Sequence, residues 1–382
     1  MENIQLVQNV KVIFGAGCIS AIGEIAQEKG SKRPLVVTDK GIVAAGIAQK
    51  ALDVLTAAGT EPVLFDGVEP DPSVFVVEAA WDLFNREGCD LVIGLGGGSA
   101  MDSAKAINLL RYNEGPIMRY ATEPVAFSPD LVSVPTTSGT GSELSDGLVI
   151  SGPDGEKHPM LATDASSEYA VVDPELMVGM PPHITATTGI DALSHATEGF
   201  TGTVATVLTD QINRSTMEQV REWLPRAVAD GSCVEARAHM AAACLMGGWM
   251  LRNSHTHASH SIAHILGGHF HMAHGYAVAY ALPYVLEFNA PEMPEKTLEV
   301  ARMFGANVTG LETPEQAGEK ARVALQQFFY VDLGIKKPSE WEIDRTQFAA
   351  MGEEIEHELF QAFNPRKMTA ADAVEILEKI FA

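Results

Sequence analysis

Cysteine is scarce in this chain, and so is positive charge. The four cysteines, Cys18, Cys89, Cys233 and Cys244, stand far apart with no CxxC among them. That spacing speaks against a disulfide framework and suits a reducing cytoplasm. Lys and Arg total 26 against 50 Asp and Glu, a formal charge of −24. A surface of that sign repels nucleic acid and anionic lipid, so neither is expected as a partner. No uncharged apolar run reaches the ~18 residues that a membrane-spanning helix needs. Met1 to Phe14 alternates polar and apolar residues without a basic n-region, and does not read as a signal peptide. Internal repeats and low-complexity tracts are also missing.

What remains is the composition of a folded protein. Apolar residues make up 46% of the 382, and charged residues 20%. At ~100–200 residues per domain, the length allows two or three domains.

Short apolar runs alternate with helical patterns in the first half. Pro34–Asp39, Glu61–Asp66, Asp90–Leu95 and Leu131–Val134 read as strands, the apolar ones as buried parallel strands. Helical spacing covers about Ile47–Ala58, Ser73–Glu87 and Ser99–Leu110, and a further helix is expected from Ser142. Beyond about Pro182 the patterns are almost entirely helical. Thr313-Pro314-Glu315-Gln316 is a capping box with proline at the first helical position. Thr369 to Asp372 opens a last helix by the same logic. The boundary falls at Met180-Pro181-Pro182: residues 1–182 form an α/β domain with a mostly parallel sheet, and residues 183–382 an all-helical domain.

Gly96-Gly97-Gly98-Ser99 lies between a predicted strand and a predicted helix. Consecutive glycines let backbone amides approach an anion, and the helix N-terminus adds unpaired N–H groups and partial positive charge. A diphosphate is the natural occupant. Such turns also serve packing alone, and this one is not a GxGxxG. Gly15-Ala16-Gly17 is followed by Ser20 where that motif needs glycine, and reads as a plain turn. Asp39 ends a strand, where a carboxylate can bond a ribose 2′-hydroxyl and repel a 2′-phosphate. A helix N-cap is the simpler role for it. Thr136 to Glu143 is a dense run of hydroxyls and glycines suited to phosphate and ribose oxygens, or to an ordinary loop.

Asp191 and His195 are four apart in a helical stretch and share a face. His260 and His264 repeat that spacing, and His274 follows. His255, His257, His269 and His271 crowd the same region, so seven of the 12 histidines fall between 255 and 274. A carboxylate with three imidazoles suits Fe²⁺ or Zn²⁺, with Ni²⁺, Co²⁺ and Mn²⁺ as further options. His255, His257, His269 and His271 are then neighbours of the site or bystanders.

Four motifs in order resemble those of the iron-containing (group III) alcohol dehydrogenases. They are Gly96-Gly97-Gly98-Ser99-Ala100-Met101-Asp102-Ser103-Ala104-Lys105, Pro135 to Glu143, Gly189 to Glu198, and His260-Ser261-Ile262-Ala263-His264 followed by His274-Gly275. The resemblance spans about residues 10–380. It implies an N-terminal dinucleotide-binding α/β domain and an all-α C-terminal domain, the dehydroquinate synthase-like architecture. It implies that Asp191, His195, His260 and His274 bind the metal and that His264 helps carry the proton. Gly96, Gly97, Gly98, Ser99 and Asp102 would contact the NAD phosphates and nicotinamide end, with Asp102 beside the catalytic step. Thr136, Thr137, Thr140 and Ser142 would line the cofactor site, with Lys157 beyond them, and Asp39 would separate NAD from NADP. The reaction implied is hydride transfer between a primary alcohol, or its aldehyde, and NAD, by a homodimer or larger homo-oligomer. Ile265 replaces the family's usual proline, Val278 a frequent asparagine, and Gly147 a frequent polar residue; all three bear on substrate preference. The alternatives are a zinc polyol dehydrogenase, a metal-independent maleylacetate-type reductase, a dehydroquinate-synthase-like lyase, and a binding scaffold without turnover.

Overall fold

The computed structural model describes residues 4–153, 155–161 and 165–382. They fall into two compact units, one of Val7–Met180 with Gly231–Trp249, the other built from Pro181–Asp230 and Met250–Ala382 with the described residues before Val7. The 182 boundary drawn on the sequence follows chain order, whereas residues 231–249 group with the first unit.

In the first unit the chain runs β1 (Lys11–Phe14), α1 (Ala21–Glu28), β2 (Pro34–Val37), α2 (Lys40–Ala44), α3 (Ile47–Ala57), β3 (Val63–Phe65), α4 (Val74–Glu87), β4 (Leu91–Gly96), α5 (Gly98–Tyr112) and β5 (Leu131–Pro135). β6 (Gly147–Ser151), β7 (Lys157–Leu161) and β8 (Tyr169–Val172) follow. Six strands form one sheet in the order β1-β8-β5-β4-β2-β3, every pair parallel. β2, β4, β5 and β8 are buried along their whole length. This is why they are short and apolar instead of alternating: both faces are covered. Leu35, Val37 and Val92 pack with α4 and α5, whereas Val36, Leu91 and Ile93 pack with α1 and α3. The period of two sends successive side chains to opposite helical layers.

β2 leads outward to β3, and β4 returns on the other side of β2. The order therefore reverses between β2 and β4. The carboxyl ends of strands at such a reversal leave the crevice where open α/β sheets take ligands. Asp39 follows β2, and Gly96–Gly98 end β4 and open α5.

β6 and β7 form a separate antiparallel hairpin. The helix expected from Ser142 is absent: a single turn, with Leu144 and Ser145 N–H on the Gly141 carbonyl, leads straight into β6. Gly141 has φ +62°, and a Cβ there would lie 2.4 Å from Gly248 Cα. The close approach of that helical backbone fixes the turn and overrides the local helical pattern.

The second unit is helical: α6 (Pro182–Thr201), α7 (Val207–Ala229), α9 (Ala258–Phe270), α10 (His274–Asn289), α11 (Pro294–Met303), α12 (Pro314–Gln327), α13 (Phe348–His357) and α14 (Ala370–Ile380). α8 (Val234–Asn253) precedes α9 and contributes its last residues here. The capping boxes at Thr313 and Thr369 are both formed. α6 is buried on nearly every side although rich in threonine. Its hydroxyls bond back to carbonyls one turn earlier, as Thr197 does to Leu193 and Thr201 to Thr197, both at 2.8 Å. Every threonine hydroxyl of this helix finds a backbone acceptor in this way.

Candidate functional site

Around the glycine turn, Gly96 adopts φ +152°, a conformation that side chains rarely take. An added Cβ would meet Ala100 Cβ at 2.7 Å and lie 3.6 Å from Asp39 Oδ2. At Gly98 it would meet Thr140 Cγ2 at 2.8 Å, and at Gly97 Thr137 at 3.4 Å. Thr137 and Thr140 thus wall the turn, and Asp39 reaches it from β2. No side chain caps α5, which leaves its N-terminus open to an anion together with Ser99. Thr136 gives its N–H to the Gly96 carbonyl at 2.9 Å, and its buried Oγ1 has no partner. Asp39 is also the N-cap of α2, accepting from Ile42 N–H at 3.0 Å.

Two of the expected cofactor residues are engaged beneath the turn. Asp102 is half-buried and accepts from Ser142 Oγ (2.8 Å) and Val149 N–H (3.0 Å). Ser142 in turn accepts from Lys105 Nζ at 2.8 Å, which also donates to Ser145 Oγ (3.1 Å) and the Gly147 carbonyl (2.7 Å). A lysine carries three N–H donors, and all three are used. Burial raises the Asp102 pKa against the opposing pull of Lys105, and burial lowers that of Lys105. Lys157 begins β7, where Asp71 Oδ1 holds its ammonium at 2.7 Å.

The histidine cluster is assembled from three helices. Asp191 and His195 lie one turn apart on α6, His260 and His264 on α9, and His274 is the first residue of α10. Gly275 lets α10 begin against α6, because a Cβ there would lie 2.5 Å from the Thr187 carbonyl. His195 Nε2 and His260 Nε2 stand 3.5 Å from Asp191 Oδ1, and His274 Nε2 3.4 Å from the same oxygen. Donor atoms of Asp191, His195 and His260 all lie within 4.8 Å of one another. Asp191, His195 and His260 are buried, while the His274 side chain is 35% exposed and forms the open side.

Asp191 Oδ1 and His260 Nε2 are buried without a hydrogen-bond partner. Native interiors rarely leave such atoms unpaired. One oxygen ringed by imidazole nitrogens is the donor set that a borderline divalent cation takes, so the residues fit the metal.

Charge pairing and burial oppose each other within the cluster. Burial opposes the Asp191 carboxylate, yet the charges of His195 and His274 hold its pKa well below the usual range. Burial pushes His195 down to about 4. His260 is also penalised by burial, but Glu198 and Asp191 outweigh this and raise it to about 10. Burial lowers His264, whose Nδ1 pairs with Glu358 Oε1 at 3.0 Å.

Three of the four histidines crowded nearby have other partners. His255 stacks on Phe363, His257 bonds Thr201, and His269 bonds Gln347 and Glu354. Glu198 and Lys105 stood in the quoted motifs without a role assigned to them, and Glu358 was not singled out from the sequence. Glu198 had a signal, being seven residues after Asp191 on the same helical face, and Lys105 is three after Asp102. Glu358, 94 residues from His264, had none.

A family model described as iron-containing alcohol dehydrogenase matches residues 9–174, and one for the family's C-terminal part matches 185–381. The chain belongs to the iron-containing alcohol dehydrogenase family. It is 36% identical to the 1,3-propanediol dehydrogenase of Klebsiella pneumoniae, over 98% of both chains. It is 33% identical to the NAD-dependent methanol dehydrogenase of Bacillus methanolicus, over 96% of this chain and 97% of that one. A crystal structure of 1,3-propanediol oxidoreductase superposes with TM-score 0.93 at 35% identity, covering 100% of both chains. These relatives are alcohol oxidoreductases, and membership of the family implies NAD and a divalent metal. Among the described residues, no helix is long and apolar enough to cross a membrane.

Proposed function

We propose that the protein transfers hydride reversibly between a small primary alcohol, or its aldehyde, and NAD. The observation that carries this is Asp191 Oδ1, buried, unpartnered and approached by three imidazole nitrogens. Asp191, His195, His260 and His274 would hold the ion, Fe²⁺ in keeping with the family description, or Zn²⁺ or Ni²⁺. Such an ion supplies Lewis-acid polarisation of the alcohol oxygen, while NAD supplies the hydride acceptor.

The chain's own residues then bind and move the proton. The Glu358 carboxylate holds His264 by Nδ1, which leaves Nε2 free to accept the alcohol proton and pass it to water. His264 stacks on His274, ring centroids 5.7 Å apart, which keeps it beside the ligand set. Gly96, Gly97, Gly98 and Ser99 would receive the NAD diphosphate on the backbone of the turn, with Thr136, Thr137 and Thr140 beside it. Asp39 would bond the adenosine ribose and repel a 2′-phosphate. Asp102 and Ser142 support that loop from beneath, and Lys157 would need to leave Asp71 to reach a cofactor. The two relatives named above, acting on 1,3-propanediol and methanol, support a short, unbranched alcohol. None of the four cysteines is in a disulfide, in keeping with a cytoplasmic setting, and a homodimer or larger homo-oligomer is the expected assembly.

The test is anaerobic. Metal-stripped and Fe²⁺-reloaded protein are compared at the NADH absorbance band, with NAD and a panel of short alcohols and diols. Activity that returns only with metal is the expected result. Equal activity in the stripped protein, or a fully active Asp191→Ala variant, would refute the metal assignment.

A further inference from the structure

The polar groups outside the proposed ligand set include one whose surroundings are unusual. Glu198 has no exposed surface and lies on the face of α6 that carries Asp191 and His195. A buried carboxylate persists only where hydrogen bonds satisfy it. Its Oε1 accepts from the backbone N–H of Ser259 (2.8 Å) and His257 (3.3 Å), at the start of α9. Its Oε2 accepts from Ser194 Oγ (3.3 Å) and is paired with His260 Nδ1. The backbone of α9 thus fixes the carboxylate, and the carboxylate fixes the ring.

The consequence lies at the opposite nitrogen. With His260 Nδ1 tied to Glu198, Nε2 is the ring atom left to face Asp191. It stands 3.5 Å from Asp191 Oδ1, and neither atom has a hydrogen-bond partner. A cation between them would be met by both atoms, the ring giving up any proton at Nε2 as it binds. We infer that Glu198 is a positioning residue of the metal site: it locks His260 in the tautomer whose Nε2 is a ligand, and places a second buried negative charge one hydrogen bond from the ion. This rests on the metal reading proposed above. Carboxylates behind ligating histidines orient the ring and raise its basicity, and losing one lowers metal affinity about 10- to 100-fold.

A purely structural role, capping α9, makes a different prediction. Glu198→Gln keeps an oxygen for the Ser259 and His257 N–H groups but turns an amide toward His260. Glu198→Asp keeps the charge but withdraws it by one methylene. Apoproteins of wild type and both variants are titrated with Co²⁺ against a chromophoric chelator, with visible Co²⁺ spectra and apoprotein melting temperatures recorded. The expected result for Glu198→Gln is a 10- to 100-fold weaker Co²⁺ affinity and altered visible bands, at a melting temperature close to wild type. Glu198→Asp should lie between the two, and it decides alone should the glutamine variant fail to fold. Wild-type affinity and spectrum in the variants overturn the inference. So does a loss of affinity that merely tracks a loss of apoprotein stability. Wild-type protein that takes up no Co²⁺ sinks the metal reading itself, and the role of Glu198 with it.

Discussion

Glu143 provides a sharp test of how the loop beneath the glycine turn is held. It is buried, Oε2 has no hydrogen-bond partner, and Oε1 faces Cys244 Sγ at 3.9 Å. Burial raises its pKa from 4.5 to about 7, with Lys105 only partly opposing. A carboxyl whose pKa is raised on folding stabilises the fold while both states are protonated. That contribution is complete below pH ~4.5 and is lost as pH rises through the folded value. At 1.36 kcal/mol per unit, the shift corresponds to a loss of about 3 kcal/mol between pH ~4.5 and pH ~8. Glutamine cannot titrate. Denaturant unfolding of metal-free wild type and Glu143→Gln at half-unit pH steps isolates the effect, because groups not coupled to Glu143 cancel in the difference. The variant should gain on wild type by about 2–3 kcal/mol as pH rises from ~5 to ~8. A constant offset from the amide is tolerable, since the slope is the measured quantity. Parallel profiles would show that Glu143 is ionised throughout and would refute the reasoning.

Other consequences follow from the same geometry. Lys105→Met removes three donors from a closed site and strips Asp102 of its counter-charge. It should cost about 3–5 kcal/mol in chemical denaturation, and a loss under ~1 kcal/mol would contradict the tie. Gly98→Ala drives a methyl against Thr140, so NADH affinity, read by fluorescence, should fall and stability drop by about 1–3 kcal/mol. Thr140→Ser in the same chain should recover part of both. His264→Ala should lower kcat about 10²- to 10⁴-fold while metal content by elemental analysis stays at the wild-type level; loss of the metal instead would make His264 a ligand.

Much of this protein is written in near neighbours. The short apolar runs at 34–39, 90–95 and 131–134 read as strands covered on both faces, and Gly96–Gly98 as a strand-to-helix turn. Thr313 with Gln316, and Thr369 with Asp372, announce their helices because a capping box closes within one turn. Asp191 with His195, and His260 with His264, share faces by helical period alone. Periodicity cannot say which histidines meet. Three helices must pack, with Gly275 set against Thr187, before three imidazoles surround one carboxylate oxygen while His255 and His269 go elsewhere. Glu358 reaches His264 across 94 residues, a distance at which no spacing rule operates. The segment after Ser142 shows the reverse. Its local pattern favours a helix, but Lys105 holds Ser142, Ser145 and the Gly147 carbonyl, and the backbone of Gly248 closes on Gly141. Short-range hydrogen bonds and side-chain period set the elements. Packing of small residues and the satisfaction of buried charge set where those elements meet, and both depend on groups that are distant in the chain.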